Sequence, residues 1–207
     1  MNQDQARLWV RERFGVSRET LLARYAEMLV AESANQNLIA RSTFDEVWAR
    51  HVVDSAQLVP LAENAPLGTW LDVGSGAGLP GIVAAILTHR PVVLAEPRAR
   101  RVAFLRAVTE ALQLADRVTV HHGKVESFLP EQPVAIVSAR AVAELSQLIA
   151  SAIHSTDSST IWVLPKGRNA QLEVAAAQRT WQGVFHVEPS LTQDDSGVVV
   201  AQGVRRT

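Results

Sequence analysis

The chain of 207 residues carries 20 basic and 21 acidic side chains, a formal net charge of −1, and 47% hydrophobic residues. This composition predicts a soluble globular protein with a sizeable core, and its charge balance gives no global signal of nucleic-acid binding. The absence of cysteine excludes disulfides, thiolate metal sites and cysteine nucleophiles. Because the apolar runs are too short to span a membrane and the start lacks a signal-peptide core, we expect a cytoplasmic protein.

The first part of the chain has apolar residues at helical spacing. These predict a helix at 4–14 and a second helix capped by Ser17. A capping box at Thr43–Glu46 predicts the start of a third helix, which we expect to end near Val59 because Pro60 follows.

From Leu67 onward, short apolar runs alternate with helical stretches. The predicted strands are 69–73, 91–95, 117–121, 134–138 and 160–164, and the predicted helices are 80–88, 99–114, 142–153 and 168–180. This alternation favours a mainly parallel sheet covered on both faces, and the last two runs, 184–187 and 198–201, predict a terminal antiparallel hairpin. We therefore expect an α/β fold, with residues 1–65 as an N-terminal helical extension packed on a domain of residues 66–207.

The stretch from Thr69 to Gly81 combines a short apolar run, Asp72 and four glycines, which is typical of a strand, a tight turn and a helix. Two cofactors are compatible with this turn. Gly76–Gly81 matches the GxGxxG pattern of dinucleotide-binding proteins. Gly74–Gly78 matches GxGxG preceded by an aspartate, the pattern of methyltransferases that use S-adenosylmethionine (AdoMet).

Charge favours AdoMet over a dinucleotide. A pyrophosphate near Asp72 would be repelled by about 3 kcal/mol at ~5 Å and an effective dielectric of ~20, whereas the ammonium of AdoMet would be attracted by a similar amount. Glu96, which follows the next apolar run, suits a carboxylate that binds ribose hydroxyls in either class, so it does not discriminate. A glycine-rich turn that binds no ligand is the remaining alternative.

Several ordered motifs resemble one known family. They are Asn37-Leu38, Arg50-His51-Val52-Val53-Asp54-Ser55, the run Asp72–Gly81, Glu96 with Arg100-Arg101 and Phe104-Leu105, Lys124-Val125-Glu126, Ala139-Arg140-Ala141, and Lys166-Gly167. Together they resemble the glucose-inhibited division protein B family, also called RsmG, whose members methylate guanine N7 in small-subunit ribosomal RNA. The resemblance covers about residues 20–170, with Ile39 in place of a family threonine and Lys124 in place of an arginine.

The resemblance implies a class I AdoMet-dependent methyltransferase fold, Rossmann-like, that acts on 16S rRNA or the small ribosomal subunit. It implies a set of cofactor-binding residues, namely Gly74, Gly76, Leu79, Glu96, Val125, Glu126 and Arg140. No residue is assigned as catalytic, and Arg140, Lys166 and His51 are candidates for positioning roles. The basic helix segment that contains Arg100 and Arg101 is a candidate for contacts with RNA phosphates. We expect a monomer without a metal site, since His121-His122 has no acidic cluster near it.

Guanine N7 carries a lone pair and no proton, so its methylation requires no general base. Catalysis would come mainly from holding the two reactants in line, which can contribute ~7–11 kcal/mol.

Two alternatives remain at this stage: a non-catalytic, AdoMet-binding ribosome assembly factor, and a dinucleotide-dependent oxidoreductase. From spacing alone, His51 and Asp54 also fit a hydrogen-bonded surface pair, and the arginines of 98–106 fit a solvated helix face.

Overall fold

The computed structural model describes residues 1–140 and 142–207 and has the predicted α/β fold. Its strands β1 to β7 are, in chain order, Trp70–Val73, Val92–Glu96, Val118–His122, Ile136–Ala139, Ile161–Lys166, Trp181–Pro189 and Gly197–Arg206. Within the described residues they form one sheet of seven strands in the order β3-β2-β1-β4-β5-β7-β6. Strands β1 to β5 are parallel, while β7 runs antiparallel to β5 and pairs with β6 in the predicted terminal hairpin.

Helices cover both faces of this sheet. Helices α1 to α8 are, in chain order, Gln3–Phe14, Val16–Glu32, Asp54–Ala56, Leu58–Leu61, Gly81–Leu87, Ala99–Ala111, Leu145–Ala152 and Ala170–Ala177. Short 3-10 turns lie at Arg41–Glu46, Val125–Ser127 and Ile153–Ser155, and a π-helical turn lies at Trp48–Val53.

The strand order reverses between β1 and β4, and this places the candidate site. The chain leaves β1 toward β2 on one side and later returns to β4 on the other side. In the parallel register Asp72 lies opposite Ser138 and Val73 lies opposite Ala139. The segments that follow these two strands therefore diverge from one point, where open α/β sheets bind their ligands.

The N-terminal helices complete the larger of two apolar cores. Leu22, Tyr25 and Leu29 of α2 are fully buried in the same cluster as Ile82 and other residues of α5. The second cluster lies on the opposite face of the sheet, under α7 and α8. The extension thus packs onto the sheet as expected, and the division of the chain at residues 65 and 66 stays a prediction.

Local details of the N-terminal half differ from the sequence prediction. Helix α2 begins at Val16 after Gly15 and has no side-chain cap, so the prediction for Ser17 was wrong. The predicted third helix is instead a 3-10 turn, a π-helical turn and two short helices, the last of which contains Pro60. The Thr43 hydroxyl caps no helix, because it bonds to the Ala40 carbonyl and to a distant histidine ring.

The carboxylate of Asp72 lies buried beneath the glycine turn. Its Oδ1 accepts a hydrogen bond of 2.7 Å from the Ser138 hydroxyl, and its Oδ2 accepts one of 3.2 Å from the N–H of Gly81. A Cβ on Gly81 would collide with this carboxylate and with Leu94, so only glycine fits there. Asp72 therefore ties β1 to β4 and to the start of α5, and it faces the protein interior rather than a ligand.

Two further side chains hold the turn from other directions. Glu96 Oε2 accepts a hydrogen bond of 2.8 Å from the N–H of Gly76. The buried Tyr25 hydroxyl of α2 donates a hydrogen bond of 2.8 Å to the carbonyl of Ala77. Burial raises the pKa of Tyr25, so the hydroxyl keeps its proton and remains a donor. The N-terminal extension thereby helps to set the shape of the glycine turn.

The Tyr25 contact predicts a stability effect. Tyr25→Phe keeps the ring and leaves the Ala77 carbonyl without its buried donor. We expect the free energy of unfolding, measured by urea denaturation, to fall by about 1–2 kcal/mol. In the control variant Thr20→Ala, a hydroxyl on the same helix that donates to an exposed carbonyl is lost, and the change should stay within about 0.5 kcal/mol. Equal effects of the two variants would contradict the structural role of Tyr25.

Asp72 predicts a pH dependence of stability. Burial raises its pKa from 3.8 to about 6, so the folded protein binds this proton more tightly than the unfolded chain does. Its contribution therefore lowers the free energy of unfolding as pH rises from 3.8 to about 6, and changes little above that range. A shift of about two pKa units corresponds to roughly 3 kcal/mol at most.

In Asp72→Asn this contribution disappears, so the decline in stability across the same pH range should be smaller than in the unsubstituted protein. Denaturation curves at several pH values measure the difference. The control Asp194→Asn, at an exposed position, should leave the pH profile unchanged. A parallel profile for Asp72→Asn and the unsubstituted protein would contradict the assignment.

Candidate functional site

One cleft, which we call the glycine cleft, opens above the turn that follows β1. It has a volume of about 360 Å³ and is walled by the turn itself, the end of β2 and the segment after β4. Its lining residues include five of the predicted cofactor residues, namely Gly74, Gly76, Leu79, Glu96 and Arg140. The structure therefore brings most of the predicted cofactor set together at the point where the strand order reverses.

The turn that forms the floor of this cleft requires glycine at two positions. Gly74 and Gly76 have φ values of +66° and +56°, a conformation that side chains disfavour. A Cβ on Gly74 would approach Val142 to 2.8 Å, because Val142 of the segment after β4 lies across the turn. A side chain at either glycine would therefore strain the backbone, and at Gly74 it would also collide with Val142.

Glu96 supplies the carboxylate that lines the glycine cleft. Its Oε1 accepts a hydrogen bond of 2.8 Å from the N–H of Arg98, and Oε2 accepts the bond from Gly76. Arg101 Nη1 lies 3.9 Å from Oε2. These contacts fix the carboxylate in place, and its oxygens have further lone pairs with which to accept hydrogen bonds.

The two arginines predicted to bind RNA have different surroundings. Arg101 lines the glycine cleft beside Glu96. Arg100 donates a hydrogen bond of 3.0 Å to the carbonyl of Asn35, which ties α6 to the segment after α2. An RNA contact of either residue stays a prediction.

Two predicted cofactor residues lie outside the lining of the glycine cleft. Val125 is buried in the apolar cluster under α7, and Glu126 is exposed on the same 3-10 turn. That turn follows β3, whose neighbour β2 ends at Glu96, and Gly123 donates a hydrogen bond to the Glu96 carbonyl. If these two residues contact an adenine, as predicted, the adenine would lie on the side of the cleft where Glu96 is.

A second cleft, which we call the polar cleft, lies beside the first and has a volume of about 460 Å³. Its walls come from the π-helical turn, the end of β5 and the loop between β6 and β7. Arg50, His51 and Asp54 line one side, and Lys166 lines another. Arg140 lines both clefts, so this residue lies at the boundary between them.

Two side chains of the N-terminal extension hold Arg140. Its Nη1 lies 3.2 Å from His51 Nδ1 and 3.4 Å from Asp54 Oδ2. Burial, followed by the charges of Arg140 and Arg50, lowers the pKa of His51 to about 4. The histidine is therefore neutral near pH 7. The spacing of His51 and Asp54 predicts that both lie on one face of a helix, and both side chains contact the same arginine.

Lys166, the other predicted positioning residue, stabilises the loop after β4. Its ammonium donates to the Ala143 carbonyl at 2.6 Å and lies 2.8 Å from Glu173 Oε2. Glu173 in turn accepts a hydrogen bond of 2.8 Å from the N–H of Leu145. Residue 141 of the motif Ala139-Arg140-Ala141 lies outside the described residues.

Sequence reasoning missed the contacts that anchor the β6–β7 loop to the N-terminal extension. Thr192 donates a hydrogen bond of 2.9 Å to Asp54 Oδ1. Gln57 accepts one of 2.8 Å from the N–H of Leu191 and donates to Asp54 at 3.1 Å. The two contacts that join the loop to the extension connect residues more than 130 positions apart, so no local pattern signals them.

Two kinds of feature are absent from the part of the chain that the structure describes. In residues 1–140 and 142–207 no group of three or more His, Asp or Glu side chains is arranged to hold a metal ion. Over the same residues no helix is both long enough and apolar enough to cross a membrane.

Comparison with known proteins identifies the family. The family model described as GidB, rRNA small subunit methyltransferase G, matches residues 18–194. A protein of Sphingopyxis alaskensis called ribosomal RNA small subunit methyltransferase G is 48% identical over 96% of this chain and 85% of its own length. The protein of that name from Rhizorhabdus wittichii is 42% identical over 99% of this chain and 94% of its own length.

A solved structure shows the same fold at low identity. The glycopeptide N-methyltransferase MtfA complexed with S-adenosyl-L-methionine superposes with a TM-score of 0.59 at 13% identity, over 71% of this chain and 86% of that chain. The fold is thus that of class I AdoMet-dependent methyltransferases. Since the family model and the relatives cover nearly the whole sequence, the chain belongs to the rRNA small subunit methyltransferase G family.

Proposed function

We propose that this protein transfers the methyl group of AdoMet to N7 of a guanine in 16S rRNA of the small subunit. Membership of the family makes the chain a methyltransferase. The observation that carries the finer proposal is the meeting of two clefts at Arg140, because a methyl transfer needs its donor and acceptor on either side of one boundary. We further propose that it acts as a monomer in the cytoplasm.

The glycine cleft fits AdoMet. Gly74 and Gly76 offer backbone, and Leu79 offers an apolar side chain, to the methionine part. Glu96 offers carboxylate oxygens to the ribose hydroxyls. When bound, AdoMet supplies an electrophilic methyl group on a sulfonium. We also propose that Val125 and Glu126 contact the adenine. The division of the chain into an extension of residues 1–65 and a domain of residues 66–207 is a further part of the proposal.

The same turn is poorly suited to a dinucleotide. Pyrophosphate-binding turns direct free backbone N–H groups at the phosphates. Here the N–H of Gly76 donates to Glu96, that of Gly81 donates to Asp72, and that of Gly78 donates to the Ser75 carbonyl. A phosphate would thus find carboxylates where it needs donors. These contacts discriminate more sharply than the charge of Asp72 alone, since that carboxylate is buried below the turn.

The polar cleft fits the guanine. The Hoogsteen edge of guanine presents O6 and N7 as acceptors. Arg140 would donate to O6 and leave the N7 lone pair free to accept the methyl group. The purine gains positive charge during the transfer, and the carboxylate of Asp54 lies at the same boundary to offset that charge and the charge of Arg140.

The neighbouring residues serve this geometry. Lys166 holds the loop after β4 through Ala143 and Glu173. No proton has to be removed from N7, so the neutral His51 is not required as a base.

Arg100, on the exposed side of α6, and Arg101 are proposed to contact the RNA phosphates near the mouth of the glycine cleft.

A methylation assay tests the proposed function. The protein is incubated with labelled AdoMet and either deproteinised 16S rRNA or small subunits from cells that lack it. We expect incorporation at a single guanine, located by borohydride and aniline cleavage, which breaks the RNA at 7-methylguanosine. Failure to label both substrates by a protein that binds AdoMet would contradict the activity and support a non-catalytic assembly factor.

A glycine substitution tests the cofactor cleft. Gly76→Asp places a side chain and a negative charge where AdoMet is proposed to lie, so binding measured by calorimetry should weaken at least about 100-fold, which corresponds to about 2.8 kcal/mol. Gly203→Asp is the matched control, because Gly203 also has a positive φ, of +65°, but a Cβ there meets open space. Unchanged binding in Gly76→Asp, or equal loss in both variants, would contradict this placement.

A further inference from the structure

The orientation of Arg140 depends on a chain of hydrogen bonds that begins outside the sheet. The chain runs from the Ala40 carbonyl through the Thr43 hydroxyl and the His51 ring to the Arg140 guanidinium. Its three contacts measure 2.7, 2.8 and 3.2 Å. Every member except Arg140 belongs to the N-terminal extension, so the extension reaches the boundary of the two clefts.

The donors and acceptors in this chain leave one arrangement of protons. A carbonyl oxygen only accepts, so the Thr43 hydroxyl gives its proton to Ala40 and presents a lone pair to His51. A guanidinium only donates, so His51 Nδ1 must be an acceptor. His51 is consequently the tautomer with its proton on Nε2, which donates to Thr43.

We propose that His51 is a positioning residue: as the neutral Nε2–H tautomer it presents the Nδ1 lone pair to Arg140 and holds the guanidinium at the boundary between the glycine cleft and the polar cleft. Asp54 fixes the same guanidinium from a second direction and is itself held by Thr192 and Gln57. The inference rests on the proposed function, because the orientation of Arg140 matters for catalysis only if the guanine binds beside it.

Two acceptors at different angles restrain an arginine more than one does. A guanidinium held by Asp54 alone could rotate about that contact and move its remaining N–H groups away from the guanine O6. The lone pair of His51 prevents this rotation without adding a charge, since the ring is neutral. His51 therefore acts through Arg140 and contacts no reacting atom.

Substitutions of His51 separate this role from a merely structural one. His51→Asn places a carbonyl oxygen near the position of Nδ1 and keeps an acceptor for Arg140. His51→Gln places its polar atoms near Nε2, and His51→Leu keeps neither. We expect kcat for methylation of small subunits to fall about tenfold or more in His51→Gln and His51→Leu, as for loss of one hydrogen bond to a charged group. His51→Asn should stay within about threefold of the unsubstituted enzyme on the same scale.

The KM for the subunit should change less than kcat in all three variants, because contacts with the RNA backbone supply most of the affinity. Thr43→Val and Thr43→Ser provide a second pair, in which only valine removes the acceptor for Nε2–H. Unchanged kcat in a folded His51→Leu variant, or equal loss in His51→Asn and His51→Leu, would overturn the proposal.

The tautomer itself is measured by nitrogen-15 NMR of the histidine ring near pH 7. We expect a protonated Nε2 and an unprotonated Nδ1 for His51, with Nδ1 shifted in Arg140→Ala. A proton on Nδ1 would overturn the proposal whether or not the protein is active. Conversely, the expected spectrum without any methylation would count against the proposed function and leave the His51–Arg140 contact established.

Discussion

The buried carboxylate of Asp72 is the interaction on which the site depends. It joins the end of β1 to Ser138 of β4 and to the first N–H of α5, so three elements meet at one side chain. Burial makes the ionised form costly, as the raised pKa shows, and the hydrogen bonds offset part of that cost. The turn above it consequently has a fixed shape, and the glycine cleft takes its position from the strands that Asp72 connects.

The same arrangement determines which ligand the turn can bind. The N–H of Gly81 donates a hydrogen bond to Asp72, and the N–H of Gly76 donates one to Glu96. A phosphate-binding turn would leave such N–H groups free. The cleft above this turn is lined by glycine backbone together with four charged side chains, namely Glu96, Arg98, Arg101 and Arg140. The N-terminal extension adds Tyr25 below the turn and His51 beside Arg140, so it contributes to both clefts.

Much of this architecture could be predicted from the sequence. The strands are short apolar runs at regular spacing, and the glycine pattern locates the turn after β1, because both signals are local. Contacts between distant segments could not be predicted. Thr43 matches a capping box, yet its hydroxyl forms a hydrogen bond with the His51 ring. The carboxylate of Asp72 points inward because Ser138 and Gly81 donate hydrogen bonds to it. Arg101 lies on a basic helix, but only the fold reveals that it lines the glycine cleft.

The central claim is that the methyl donor and the guanine meet at Arg140, each in its own cleft. A crystal structure of the protein with S-adenosylhomocysteine tests it most directly. We expect the ribose hydroxyls to form hydrogen bonds with Glu96 and the sulfur to face the polar cleft beside Arg140. A cofactor bound in the polar cleft, or a sulfur directed away from Arg140, would contradict it.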